Sequence, residues 1–341
     1  MHDSNVKLSS SEIACIWTSY MNNSMSVCIL SHMKKHIEDS EIKAIVDLAL
    51  SISIKQIDQL AIIFKKDTYE KPYGFSENDV NLEAPALFTD TFCLFYINHM
   101  AKAGLLAFSG FLSMSVREDI IEIFINGLAD TTKLFRKTTS LLMNKGLIVR
   151  SPYILVPKTK DYVDSNSYLS GFHFFHKKRP LNSIEISHLF MNTQTNNIGS
   201  KISLAFSQTS ANKDVQQFMM QGKEIAQKHI KIFMNTLLEE NLQMPMSADI
   251  AITDSAIPTF SDKLMMFHMS LLSAAGIGNY STAAGASQRS DLAINYERLS
   301  LEIAQYAKSG ADLMIKNSWL EQPPGTIDRS IVVKNKKSEF N

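Results

Sequence analysis

One Glu-x-x-His occurs in the chain, Glu185-Ile-Ser-His188, and that spacing is one through which four-helix proteins hold a pair of iron or manganese ions. Two hard cations need a carboxylate from each of two helices and a Glu-x-x-His from each of the other two, because fewer inward ligands neither neutralise nor fix them. Here Glu185 follows Asn182 by three residues, the place of the acid in a capping box, and the equivalent stretch earlier in the chain reads Glu12-Ile-Ala-Cys15. The remaining groups are scattered: Glu224 and His229 are five apart, which puts them on different faces of a helix, and Asp262, His268, Glu297 and Glu302 add no third layer member. The expectation is therefore no cofactor and no metal, with Glu185 and His188 as the weak alternative, and no catalytic residue.

A second set carries charge rather than metal chemistry. Glu12, Arg117 and Asp119 recur as Glu185, Arg289 and Asp291. If the starts of the first and fourth helices share one end of a bundle, Glu12 can reach Arg117 and Glu185 can reach Arg289, clipping two hairpins together. Asp119 and Asp291 would sit in a first turn, where the helix dipole favours negative charge. These six residues are read as structural ion pairs, the alternative being a ligand-binding arginine at the bundle end. No Gly-rich phosphate loop, Ser-His-Asp set or Cys-x-x-Cys appears. Cys15, Cys28 and Cys93 are distant, odd in number and set among apolar residues, which suits inert thiols in a reducing compartment. With 34 Lys+Arg against 34 Asp+Glu and 20% charged residues, the 341-residue chain offers no electrostatic case for nucleic acid. The start has no apolar segment of a secretory leader, so the expected location is cytoplasmic.

Proline and repetition give the elements that must position these groups. An interior proline costs a helix about 3 kcal/mol, and all nine prolines fall in four places, leaving 1–71, 86–151, 181–244 and 259–322 free for long helices, two in each. Leu8, Ser10, Glu12, Ile13, Asn23, Lys55, Ile57, Pro72 and Pro85 recur 173 residues later. Phe88, Asp90, Gly104, Arg117, Asp119, Leu141 and Pro152 recur 172 later, which marks a duplicated unit with its own core rather than a solenoid. Helix one opens on the capping box Ser9/Glu12, helix two spans about 41–66, helix three opens at Thr89-Asp90, and helix four opens near Ser115 with Glu118 and ends at Asn144-Lys145-Gly146. The join from 67 to 86 can extend roughly 60 Å, longer than a helix of 28 residues at about 42 Å. That length allows a crossover that makes helices two and three parallel, as in ferritin-like bundles, or else an ordinary loop. The fold class is all-α: two tandem ferritin-like four-helix bundles, the first over 1–157 and the second over 181–325, with a linker at 158–180 and a tail at 326–341.

The Leu-Ser/Asn-Ser-x-Glu-Ile starts at Leu8–Ile13 and Leu181–Ile186, the Arg-x-Asp pairs, and Lys145-Gly146-Leu147 through Pro152 together resemble the bacterial family called domain of unknown function 3231. The resemblance implies a duplicated ferritin-like fold in spore-forming bacilli, a relation to coat-F-type spore coat proteins and no assigned activity. The second copy departs from it at Asn317-Ser318-Trp319.

Helix three of the second copy has no Asp, Glu, Lys or Arg from Leu264 to Gln288, and small residues crowd it. Ala274, Ala275, Gly276, Gly278, Ala283 and Ala284 are the candidate partner surface, for bundle–bundle packing or a homo-oligomer. The helix is expected to be buried on nearly all sides and broken at Gly276 and Gly278. Polar interruptions at His268 and Asn279 argue against a membrane span. Methionines cluster in the second copy, for core packing or for an apolar ligand held there. The basic-aromatic run Phe172–Arg179 reads as a linker docking through its phenylalanines rather than a nucleic-acid contact, and His173-x-x-His176 lacks metal partners. The polar tail from Ile331 reads as frayed. The function expected is a non-enzymatic binding or structural protein, spore- or stress-associated; the alternative is a metal-binding oxidoreductase or metal store in the second bundle.

Overall fold

A computed structural model describes residues 6–171, 178–242 and 251–330. The stretch 172–177, with His173 and His176, the methionines Met244 and Met246, and the tail from Ile331 lie outside the described residues. Eight long helices occupy the described residues: α1 Ser10–His36, α2 Ser40–Lys66, α3 Asp90–Ser113, α4 Glu118–Asn144, α5 Ser183–Thr209, α6 Lys213–Glu239, α7 Asp262–Ala286 and α8 Ser290–Lys316.

The caps follow the residues. Ser9/Glu12 and Asn182/Glu185 form complete capping boxes at α1 and α5, Asp39 and Asn212 cap α2 and α6, and Thr89 and Ser261 cap α3 and α7. The starts of α4 and α8 differ from expectation. No box forms at Ser115/Glu118; Arg117 and Arg289 stand at the N-cap with no side-chain cap of their own. The first N–H groups are taken instead from another helix: Glu12 Oε1 accepts from Val116 and Arg117 at 3.1 and 2.8 Å, and Glu185 Oε1 accepts from Arg289 at 2.9 Å. At the far end of α4, Gly146 turns at φ +66°, and the divergent Asn317-Ser318-Trp319 makes the same turn with Ser318 at φ +59°, a conformation that costs a side-chain-bearing residue.

Chain direction follows from which ends meet. Asp90, at the start of α3, accepts from the backbone of Glu38 and Asp39 at the start of α2, so α2 and α3 run parallel. Asp67, at the end of α2, meets Arg117 at the start of α4, and Lys145, at the end of α4, meets Asp39. This is the one-crossover arrangement of ferritin-like bundles. Ser210 and Asp262 repeat the α2/α3 contact in the second copy.

The two crossovers pair with each other. Val80 bridges Phe260 and Phe88 bridges Ile252, both antiparallel. Asn81 N–H donates to Thr259 O and Thr253 N–H to Leu87 O, while Ser261 N–H donates to Asp79 O and Thr89 N–H to Ala251 O. Each bond has a mate displaced by 172 in both partners, so the halves are related by an internal two-fold axis. The register there is already 172 at Asp79, which shows that pairing Pro85 with Pro258 at 173 was one residue off. Tyr96 and His268 are equivalent positions and meet at the axis, with Tyr96 Oη 3.3 Å from His268 Nε2.

The separate cores expected of each copy are only partly separate. Cys15, Ile16, Leu60, Ile120 and Phe124 pack at the far end of the first bundle, and Leu189, Phe233, Tyr280, Tyr296 and Leu299 at the far end of the second. Between them one continuous apolar cluster runs through both halves, from Met33, Phe92 and Leu94 to Phe206, Phe260 and Met265. Interlocked crossovers leave the near ends no solvent-facing cap, so they share one interior. Met219, Met265, Met266 and Met269 fill that shared cluster.

Candidate functional site

Three places gather polar chemistry. The first is the pair of bundle ends. Arg117 makes a two-pronged contact with Asp67 at 2.6 Å on each nitrogen and reaches Asp119 at 2.7 Å through Nε. Arg289, 1% exposed, meets Glu240 through Nη1 alone at 3.0 Å and grips Asp291 with two nitrogens at 2.9 and 3.2 Å. The six residues singled out in sequence are brought together, but in a different pattern. Glu12 and Glu185 meet the backbone N–H, not the guanidinium, whose partners Asp67 and Glu240 the sequence reading missed. Their positions just past the ends of α2 and α6 were the available signal. Burial opposes the charge on Glu12, yet the N–H groups of Ser9, Arg117 and Val116 and the Ser9 hydroxyl prevail and hold its carboxyl at about 2. Burial likewise opposes charge on Glu185, and a two-pronged contact from Arg179 at 2.7 and 2.8 Å keeps its pKa lowered. Arg179 in turn lies over the Tyr168 ring, 4.1 Å from its centre, which docks this part of the linker. These guanidiniums are fully matched by carboxylates, so the ends act as clips.

Glu185 is thereby committed to Arg179, Asn182 and Arg289, and no hydrogen bond joins it to His188, whose Nδ1 is buried without a partner. The weak metal pair is thus not assembled as a ligand set.

The second place is the middle of the second bundle. His229, read from sequence as lying on a different helix face from Glu224, contacts Glu302: Nε2 lies 3.2 Å from Oε2, and Nδ1 lies 2.9 Å from the Tyr280 hydroxyl. Asn196 donates to that hydroxyl at 2.8 Å, and Lys228 grips Glu302 at 2.7 Å. Glu224 and His229 are five positions apart and do not meet, but the bundle face is set by α8, which brings Glu302 across to His229. Burial lowers the His229 pKa against the pull of Glu302. Among the described residues no group of three or more His, Cys, Asp or Glu side chains is placed to hold a metal ion. Glu224, Asp262, His268 and Glu297 do not join this string.

The third place is a cavity of about 300 Å³ running along the first bundle to the junction. Met25, Ile52, Phe108, Leu134 and Leu272 supply apolar wall, and Tyr96, His99 and His268 supply the polar groups near the two-fold axis. His268 is buried, its Nε2 faces Tyr96, and its Nδ1 has no partner. Burial, with His99 adding to it, drives the His268 pKa down to about 3, so the ring is neutral. The chamber lies on the first bundle and the junction, whereas the alternative reading of the clustered methionines placed an apolar-ligand pocket in the second bundle; four of them instead pack in the shared core. Small residues on α3 open it, including Ala103, Gly104 and Ala107, and Ala275 of α7 closes one side.

Helix α7 is continuous through Gly276 and Gly278 and is not buried all round. Ala274, Ala275 and Gly278 are exposed, while Ala283 and Ala284 pack in the second bundle's own core and a side chain at Gly276 would meet Ile303 at 3.3 Å. The expected stripe is therefore split between an inner and an outer face. Of its members only Ala275 faces the junction. No helix among the described residues is long and apolar enough to cross a membrane.

Fold and internal symmetry define a tandem-bundle protein in one chain. The family described as protein of unknown function, DUF3231, matches residues 1–159 and 170–332, and the chain belongs to it. A solved structure, a putative spore coat protein from Bacillus halodurans, is 20% identical, with a TM-score of 0.41, over 46% of this chain and 100% of that one. No curated protein matches.

Proposed function

We propose that the protein is a non-catalytic binding protein whose working site is the chamber at the junction, taking a small apolar molecule that bears one hydrogen-bonding group. The chamber carries the reading: an apolar volume of about 300 Å³ with an unpartnered, buried His268 nitrogen in its wall. Ligand sites combine apolar lining with a few placed polar groups, and a buried unpaired nitrogen costs about 1–3 kcal/mol, which a ligand's hydrogen bond recovers. A neutral fluorescent probe, N-phenyl-1-naphthylamine, should bind the intact chain. Ala107→Phe, which puts a ring into the space, should weaken that binding at least tenfold while leaving the melting temperature unchanged or raised. Equal binding by both proteins would remove the proposal.

The resemblance to coat-type proteins extends the proposal to a cytoplasmic protein associated with spores. A fluorescent fusion in a sporulating host should concentrate at the forming spore; uniform signal throughout would remove that part.

A further inference from the structure

A smaller cavity, about 210 Å³, lies where α3 and α4 of the first bundle face α5 of the second. It shares only His99 with the chamber. Phe95, Phe135 and Phe190 give it an aromatic wall drawn from both halves, and the amide-bearing residues Gln194 and Asn197, one helical turn apart on α5, line it. Lys102 is the only lining residue with a fixed charge, and no ion pair or hydrogen bond among the described residues engages it. His99, held near 4 by burial and then by Lys102, is neutral and adds no second charge. Desolvation by its surroundings lowers the Lys102 pKa, although the residue keeps access to solvent. Every guanidinium at the bundle ends is matched with carboxylates; this ammonium beside an aromatic wall is not.

We propose that this cleft binds a small organic monocarboxylate with an aromatic or branched apolar body, its carboxylate on Lys102 and the amides of Gln194 and Asn197, its body against the phenylalanines. One cation favours one negative charge, since a dianion would bring an unpaired charge into an apolar cleft. The volume suits a ligand smaller than the drug-sized compounds that occupy roughly 300–1,000 Å³. The site is independent of the chamber and stands or falls without it. Because the walls come from both bundles, the ligand also bridges the two halves.

The test compares 4-phenylbutyrate with the neutral 4-phenylbutanamide by titration calorimetry on the full chain. The wild type is expected to bind the acid at least tenfold more tightly than the amide. Lys102→Met should bring the acid down to the amide's level without changing amide binding, and Lys102→Arg should restore most of the difference. Lys102 is exposed, so these variants keep the fold, as a thermal melt will show. Equal binding of acid and amide by the wild type, binding of neither, or loss of both in Lys102→Met at an unchanged melting temperature would each overturn the assignment.

Discussion

The middles of the two bundles use the same scaffold differently. In the second, Asn196, Tyr280, His229 and Glu302 form an unbroken string of contacts, tied off by Lys228. The matching residues of the first are Asn23, Phe108, Gln56, Asp130 and Lys55. The outer pair survives, with Lys55 on Asp130 at 2.7 Å, but Phe108 has no hydroxyl and Gln56 is fully buried with neither amide atom partnered. Loss of one hydroxyl strands the next group along, because a hydrogen-bonded string in a dry interior is satisfied only as a whole. The bundle with the broken string is also the one whose wall opens into the chamber, where Phe108 forms part of the lining.

The largest effect should come where the bundles are alike. Arg117→Ala and Arg289→Ala each leave one half-buried carboxylate, Asp67 or Glu240, without its cation and a second, Asp119 or Asp291, with only a lysine, and each should cost about 3–5 kcal/mol in urea unfolding. A harmless Arg117→Ala beside a damaging Arg289→Ala would show that the ends differ too. Acid comes next, acting on the first bundle and the junction. Burial holds His32 and His99 at about 4 and His268 at about 3, below an unfolded value near 6.5. The unfolded chain binds protons first, so stability should fall as pH drops below about 6.5 and level off below about 4 for His32 and His99, by at most roughly 1.4 kcal/mol per pH unit per histidine. Thermal melts of His268→Phe should show a shallower slope than wild type across that window; an identical slope would sever the junction from acid sensitivity. A third comparison reverses in sign: His229→Leu should lose about 1–3 kcal/mol, whereas Gln56→Leu at the equivalent position should be neutral or stabilising, since it removes a polar group that has no partner. The smallest differences concern the outer pair, where Lys228→Met and Lys55→Met should each cost less than about 1 kcal/mol, with Lys228→Met the larger because Glu302 also serves His229.

Much of the architecture was legible because proline spacing, capping boxes and the repeat are local signals. Ser9 with Glu12 and Asn182 with Glu185 read correctly as helix starts from three-residue spacing alone. The start of α4 did not, because its cap comes from Glu12, more than a hundred residues earlier, and no local pattern can encode that. Arg117 and Arg289 stood out by recurrence, yet their partners Asp67 and Glu240 follow other helices and differ in length between copies, which masks the repeat. The contact of His229 with Glu302 was missed for the same reason: helical periodicity says which residues share a face of one helix, not which faces meet. The chamber had no sequence signature beyond the small residues of α3, since empty space is a property of several helices at once.

In an assembly of identical subunits, a residue on the symmetry axis must confront a copy of itself, and two tyrosine hydroxyls or two histidine rings there would compete for the same role. Fusing the halves into one polypeptide lifts that constraint, which is how position 96 can carry a phenol while its twin at 268 carries an imidazole that faces it. The same release applies all along the seam, so each half is free to change its side of a shared wall without forcing the matching change on the other.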